Sequence, residues 1–330
     1  MGDNFYFLKR HLVYLVIGLA MMFYIMEMRI DTLKKCSKPV VIISIIMLIL
    51  VLIPHVGRET AGARRWFRLG FVNFQPSEFA KIAVIFYTAD VMSRKRGIAK
   101  SFLYGYLPPI IVLGLVVGLI LLEPDLGTAM AIAAIAFILL FASGVRITHI
   151  LYSILASLPV LYLLLFSVPY RRKRMLVFLH PWADKRGTGF QIIQSFVALG
   201  SGGLLGVGLG QSKQKLFYLP ASHTDFIFSI IGEELGFAGA SAVVILFILF
   251  VWQGMKVVFK SEGRFERLLS LGIVSLIALE AIINIGVTVG ALPTKGLPLP
   301  FISYGGSALI FHLAAIGLLL NVAKICEVYR

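Results

Sequence analysis

Long uninterrupted apolar runs, separated by short polar segments, dominate this chain. A window of about 20 residues, the length that crosses a bilayer as a helix, finds nine runs. They lie near residues 11–28, 39–54, 78–93, 106–122, 126–142, 147–167, 233–257, 267–289 and 306–326. The runs do not alternate with a period of two, so they favour helices over a membrane β-barrel. The pattern predicts an all-α polytopic membrane protein, with residues 1–330 forming a single domain.

Composition agrees with this prediction. Hydrophobic residues make up 59% of the 330 positions and charged residues only 14%, and the mean hydropathy is +0.92. A soluble chain carries roughly a quarter charged residues, so soluble, disordered and disulfide-scaffold proteins are excluded. Cys36 and Cys326 both fall on the predicted cytoplasmic side, and no disulfide is expected between them.

Basic residues predict the orientation in the membrane. With the long segment 168–225 set aside, 15 Lys and Arg lie in the loops on one side and 7 on the other. Short basic loops face the cytoplasm, so we expect a cytoplasmic C-terminus and an N-terminus outside. The net charge of +15 still leaves many basic residues on the outer side. This excess favours an anionic ligand there, and attraction to lipid headgroups is the alternative.

The segment 168–225 is the longest connection between predicted spans, which is typical of a functional loop. It contains a basic cluster at 171–174, an amphipathic run, and glycines spaced closely over 200–210. Those glycines match neither phosphate-binding fingerprint, because their spacing differs and no strand precedes them. We expect them to permit tight turns and close backbone packing.

Carboxylates near the end of this segment are the candidates for acid–base chemistry. Asp225 stands where a polar stretch meets an apolar run, and desolvation there can raise a carboxylate pKa toward that of a useful base. Glu233 and Glu234 follow eight and nine positions later, about two turns on if the stretch is helical. Ionisable groups in a span suggest function, whereas helix capping or pairing with Arg is the structural alternative.

Three other outer stretches are polar. Residues 58–68, which include Arg64 and Arg65, favour either a helix on the headgroups or a pyrophosphate site. Residues 123–125 favour helix capping. Residues 293–307 are too rich in Pro and Gly for a helix, so we expect them to line a cavity, with Lys295 facing a charge.

Several motifs in a fixed order carry a family resemblance. They are Trp182-Ala-Asp184, Gly189-Phe-Gln191, the 200–210 glycines, Tyr218-Leu-Pro220, His223-Thr-Asp225, Gly232-Glu233-Glu234 and 298–307. Together they resemble the SEDS proteins, bacterial peptidoglycan glycosyltransferases of the cytoplasmic membrane. Residues 210–218 and 293–296 are more similar to the division and sporulation branch, FtsW and SpoVE, than to the elongation protein RodA.

The resemblance implies polymerisation of the lipid-linked disaccharide-pentapeptide lipid II outside the membrane, and predicts a role in cell division. Asp225 matches the essential acidic residue of the family. Arg64, Arg65 and Lys295 are predicted to hold the diphosphate, and His223, Ser303, Glu233 and Glu234 are further predicted substrate contacts. Asp225 could instead hold a divalent cation, Mg²⁺ or Mn²⁺, with that diphosphate.

The resemblance also implies partners, namely a class B penicillin-binding protein and divisome or elongasome proteins, with membrane lipids but no nucleic acid. Family members usually have ten spans, and their first helix has no counterpart in the nine predicted here. A lipid II flippase and a non-catalytic scaffold for a transpeptidase are the alternative functions. The concentration of charge on the outer side argues against the flippase.

Overall fold

The computed structural model describes residues 6–60, 63–69, 72–95, 97–167, 169–184, 187, 189–215, 219, 223–294 and 296–326. Within these residues the chain forms eleven α-helices and three β-strands. The helices are α1 (Tyr6–Met26), α2 (Ile30–Leu52), α3 (Pro76–Arg94), α4 (Leu107–Leu122), α5 (Leu126–Ala142), α6 (Ile147–Phe166), α7 (Pro169–Leu179), α8 (Phe190–Gly202), α9 (Ile227–Lys260), α10 (Arg264–Thr288) and α11 (Gly306–Ile325). The strands are β1 (Arg58–Thr60), β2 (Ala63–Leu69) and β3 (Val72–Phe74).

The predicted polytopic helical fold is confirmed. Each apolar run coincides with a helix, and in the described part of the chain seven helical segments are long and apolar enough to cross a membrane. The other two runs correspond to α5, which is apolar but shorter, and to α3, which carries Glu78, Lys81, Asp90 and Arg94. In α3 two of the buried charges pair, since Lys81 Nζ lies 2.7 Å from Glu78 Oε2.

The described residues of the polar stretch 58–68, which are 58–60 and 63–68, form strands and not a helix, so that alternative was wrong. β1, β2 and β3 form an antiparallel sheet in that order, with Glu59 opposite Arg64 and Phe67 opposite Phe74. The rings of Phe67 and Phe74 stack with centroids 6.4 Å apart. Cross-strand pairs of opposite charge and of aromatic rings stabilise such a sheet. These pairs therefore favour strands over a helix in this polar segment.

The chain divides into two compact units. The first contains Met1–Ile150, Val251–Ile277 and Gly305–Arg330. Here α1 packs closely on α11, because a side chain at Gly317 would meet the Met22 backbone and one at Gly306 the Tyr14 ring. Asn321 Nδ2 lies within hydrogen-bond distance of three carbonyl oxygens at the end of α1, those of Ile25, Met26 and Met28.

The second unit contains Leu151–Phe250 and Ala278–Tyr304. Its α9 is interrupted at Gly236, which has φ 67° and ψ −167°. The glycine-rich segment after α8 forms backbone hydrogen bonds with α9 on both sides of this interruption. The N–H groups of Val207 and Gly208 donate to the carbonyls of Glu233 and Glu234, each at 3.0 Å, and the Gly203 carbonyl accepts from Phe237.

Two of the glycines, Gly202 and Gly206, serve close backbone packing, as the sequence predicted. A Cβ on Gly206 would lie 2.2 Å from the Glu234 carbonyl oxygen, and one on Gly202 would lie 1.9 Å from that of Gly232. The segment 168–225 is also more regular than a loop, since it includes α7, a 3₁₀ turn at Pro181–Asp184 and α8.

Candidate functional site

Asp225 lies in a short turn just before α9, which we call the Asp225 turn (residues 223–226). Because α9 begins at Ile227, Asp225 is outside the helix, and the helical spacing considered for Asp225 and Glu233 does not apply to it. The turn rests on apolar side chains, which include Leu219, Phe226, Ile230 and Val287. Asp225 itself is partly exposed above this support.

Neighbouring elements hold the backbone of the turn. The Tyr304 N–H donates to the His223 carbonyl at 2.8 Å, and the Ser303 hydroxyl donates to the Thr224 carbonyl at 2.5 Å. The Asn284 Nδ2, on α10, donates to the Asp225 carbonyl at 3.0 Å. The structure thus brings together three of the predicted site residues, His223, Asp225 and Ser303.

The connection between α10 and α11 (residues 289–304, the α10–α11 loop) lies beside the carboxylate. A Cβ built on Gly296 would be 3.0 Å from Asp225 Oδ2, so glycine at this position allows the loop backbone to approach the carboxylate closely. As predicted, the described part of this loop is not helical. The neighbouring Lys295, a predicted diphosphate contact, lies outside the described residues.

Glu233 and Glu234 bind a different segment, residues 212–215. The Glu233 carboxylate accepts from the Ser212 hydroxyl and, at 3.1 Å, from the Lys213 N–H. Glu234 Oε1 accepts from Lys215 Nζ at 2.6 Å. These two carboxylates therefore hold the chain that leads toward the Asp225 turn.

Arg64 and Arg65 belong to the first unit. Arg64 Nε lies 3.3 Å from Glu59 Oε2 across the β1–β2 pair. Arg65 donates to the carbonyls of Glu123 and Pro124, each at 2.7 Å, and lies 3.7 Å from an Asp125 oxygen. Arg65 thus braces the turn between α4 and α5, where Asp125 caps α5 as predicted by accepting from the Thr128 N–H.

Glu123 in that turn is fully buried, and neither carboxylate oxygen has a hydrogen-bond partner among the described residues. Burial and the nearby Asp125 carboxylate raise the pKa of Glu123 to about 8, against the opposing charge of Arg65. Near neutral pH this side chain is therefore mainly an uncharged acid. Glu123 is the C-cap residue of α4 through its backbone, since its N–H donates to the carbonyls of Leu119 and Ile120.

An apolar cavity of about 610 Å³ lies between α8, α9 and α10 in the second unit. Its lining includes Leu199, Phe228, Ala240, Val244, Ile285 and Val289. Phe228 is only three positions after Asp225, so the cavity begins close to the turn in sequence. Such a cavity can hold a hydrocarbon chain.

Asn284 is the site residue that sequence reasoning missed. It is 1% exposed within α10 and bonds to the Asp225 turn and to the α10–α11 loop. The available signal was a single amide inside a long apolar span, where polar side chains are costly without a partner.

The fold and the site define a class of protein. It is a polytopic helical membrane protein in which the Asp225 turn immediately precedes the long helix α9. Comparison with known proteins identifies the family. The profile of the FtsW/RodA/SpoVE cell cycle proteins matches residues 1–327, and the chain belongs to this family.

Individual relatives agree with the resemblance noted from the motifs. The chain is 46% identical to the probable peptidoglycan glycosyltransferase FtsW of Geobacter metallireducens, over 97% of this chain and 86% of the relative. It is 42% identical to the stage V sporulation protein E of Bacillus subtilis, over 98% and 87%. A chain from a peptidoglycan synthase complex superimposes with a TM-score of 0.81 and 34% identity, covering 97% and 90%.

Proposed function

We propose that this protein is a peptidoglycan glycosyltransferase that polymerises lipid II on the outer face of the cytoplasmic membrane during cell division. The observation that carries the proposal is the Asp225 turn, which carries a partly exposed carboxylate and whose backbone carbonyls accept hydrogen bonds from Asn284 and Ser303 beside an apolar cluster. The name of the Geobacter relative, and the polymerization and crosslinking carried out by the similar synthase complex, support the same chemistry.

In the proposed reaction the Asp225 carboxylate takes the proton of the acceptor 4-hydroxyl. The acceptor oxygen forms a bond to the anomeric carbon of the donor sugar, and the bond from that carbon to the diphosphate breaks. Undecaprenyl diphosphate leaves with the bonding electrons. A base must lie within hydrogen-bond reach of the proton that it takes, and the Asp225 carboxylate is partly exposed where it could meet the acceptor hydroxyl.

The remaining predicted site residues have supporting roles. Arg64, Arg65 and Lys295 would bind the diphosphate, where cations stabilise the charge that develops on a leaving group. His223, exposed beside Asp225, would contact the sugar. Glu233 and Glu234 would act by shaping the 212–215 segment that they bind. The apolar cavity would accept a lipid tail.

A divalent cation fits this site in one way. Asp225 is a partly exposed carboxylate, and Mg²⁺ is commonly held by one or two carboxylates together with substrate phosphates. When bound, Mg²⁺ or Mn²⁺ would neutralise diphosphate charge. The proposal therefore includes a cation dependence of polymerisation.

We further propose a class B penicillin-binding protein as partner, because the structural neighbour comes from a complex that coordinates polymerization and crosslinking. Divisome proteins would place the pair at the division site. A cytoplasmic C-terminus completes the proposed arrangement, with Asp225 on the outer side of the membrane.

The test is polymerisation of fluorescent lipid II by the purified protein with its class B partner, in Mg²⁺ or Mn²⁺ and after addition of EDTA. We expect a ladder of glycan chains from the wild type, loss of the ladder in EDTA, and below about 1% of wild-type activity in Asp225→Asn. Glu27→Gln is the control, since it removes an exposed carboxylate paired with Lys324. No ladder from folded, partnered protein would favour the flippase or scaffold instead, and full activity of Asp225→Asn would exclude the assigned base.

A further inference from the structure

Three consecutive carbonyls of the Asp225 turn each accept a hydrogen bond from a different donor outside the turn. The donors are the Tyr304 N–H, the Ser303 hydroxyl and the Asn284 side-chain amide. We call these three donors the loop clasp. Turns and loops are ordinarily the mobile parts of a protein, whereas this turn is fixed to α10 and to the α10–α11 loop at every residue from 223 to 225.

Asn284 uses both hydrogens of its amide in the clasp. Besides the bond to the Asp225 carbonyl, its Nδ2 donates to the Leu297 carbonyl at 2.8 Å. Leu297 follows Gly296, the residue that faces the Asp225 carboxylate. One buried amide therefore holds both the backbone that carries the carboxylate and the backbone next to Gly296, which packs against that carboxylate.

The chemistry of the position favours an amide. Reversing the amide would set its oxygen against two carbonyl oxygens, so the hydrogen-bond pattern determines its orientation. A carboxylate at this position would repel the same two oxygens, and an aliphatic side chain would remove both hydrogen bonds.

Ser303, in the α10–α11 loop, is the second side chain of the loop clasp. Its hydroxyl donates to the Thr224 carbonyl and accepts from the Leu299 N–H at 2.8 Å, so both functions of the hydroxyl serve backbone groups. Ser303 is 4% exposed. These contacts give it a role within the protein that differs from the direct substrate contact predicted from sequence.

We propose that Asn284 and Ser303 are positioning residues that act through Asp225 by fixing the place of its carboxylate beside Gly296. The inference rests on the proposed function of Asp225 as the base. A general base must reach its proton within about 2.6–3.2 Å, and a misplacement of about 1 Å can cost on the order of 100-fold in rate. Loss of the clasp would therefore reduce catalysis more than lipid II binding.

The test compares Asn284→Leu and Ser303→Ala with Asn321→Leu. Asn321 is a matched control, because its buried amide also donates to backbone carbonyls, but at the end of α1. We expect kcat for polymerisation to fall about 100-fold in Asn284→Leu and about 10-fold in Ser303→Ala, with KM within about threefold of wild type. We expect Asn321→Leu, per folded molecule, to keep kcat within about threefold.

Hydrogen exchange gives a second readout that needs no activity. Peptides covering 223–230 and 296–304 should exchange faster in Asn284→Leu and Ser303→Ala than in the wild type, while Asn321→Leu leaves them unchanged. Ser303→Ala removes only one hydroxyl, so it preserves the test if Asn284→Leu does not fold.

The outcomes separate the clasp from the proposed function. A folded Asn284→Leu or Ser303→Ala protein with wild-type kcat would overturn the positioning role, as would an equal loss in Asn321→Leu. If the wild type makes no polymer, the proposed function fails. The positioning role fails with it, and the exchange rates then decide only whether the clasp holds the turn.

Discussion

Glu123 shows how a single buried carboxyl can set a pH response. Its two oxygens are buried without hydrogen-bond partners among the described residues, and its pKa is raised from the ordinary 4.5 to about 8. Between these values the folded protein keeps a proton that the unfolded chain releases. The free energy of unfolding therefore falls as pH rises from about 4.5 to 8, by at most about 1.4 kcal/mol per pH unit.

Glu123→Gln should remove this dependence, because a neutral amide replaces the neutral acid at every pH. We expect the variant and the wild type to melt at similar temperatures near pH 5, and the variant to melt at the higher temperature at pH 8. Thermal unfolding in detergent across this range measures the difference. Glu27→Gln is the control and should follow the wild type, and parallel curves for Glu123→Gln and wild type would show that Glu123 is ionised in the folded state.

At the scale of elements, the glycine-rich segment packs against the interrupted α9 through backbone hydrogen bonds and close backbone contacts. Gly206 has φ 82°, in the left-handed region that favours glycine, and a Cβ there would lie 2.2 Å from the Glu234 carbonyl oxygen. Gly200 belongs to the same glycine series but lies within α8, and a Cβ there would meet nothing within 4 Å. The two glycines therefore have different structural requirements.

Gly206→Ala should destabilise the protein by at least about 2 kcal/mol, from backbone strain and from separation of the two segments. Gly200→Ala should be neutral or slightly stabilising, because alanine is the better helix former. Melting temperature and the yield of folded protein in detergent measure both variants. Equal stability of the two would indicate that the segment adapts to a side chain at 206.

The elements were predictable in proportion to their length and apolar character. Polar residues are costly inside a bilayer, so a membrane helix must be apolar along its whole length. The long apolar run 306–326 therefore predicts the helix α11 from sequence alone. The strands at 58–74 were missed, since their pairing depends on partners such as Phe67 and Phe74 across the sheet. The amphipathic α8 was missed because it is only 13 residues long and lies in a segment read as a loop.

The site was predictable only in part for a similar reason. Asp225 stands out in sequence, as an acid at the border of an apolar run. Asn284 does not, because its two acceptors, the carbonyls of Asp225 and Leu297, are 59 and 13 positions away. Relations of this kind arise from the folded chain, and one sequence holds no local pattern that encodes them.

For the whole molecule, the orientation in the membrane decides whether the proposed chemistry has access to its substrate. The distribution of basic residues predicts that the loop near Gly97 is cytoplasmic and that the segment 168–225 is outside. Gly97 and Gln211 are both exposed in the structure and lie on these two predicted sides. Single cysteines at the two positions can therefore report the orientation directly.

The experiment places Gly97→Cys or Gln211→Cys in a chain with Cys36→Ser and Cys326→Ser, and treats right-side-out membrane vesicles with a membrane-impermeant maleimide. We expect labelling of Gln211→Cys in intact vesicles, and of Gly97→Cys only after the membrane is permeabilised. Gln211 lies in the same predicted outer segment as Asp225, so this pattern would place the carboxylate on the side where glycan strands are made. The reverse pattern would place Asp225 in the cytoplasm, and polymerisation on the outer face could not then proceed through it.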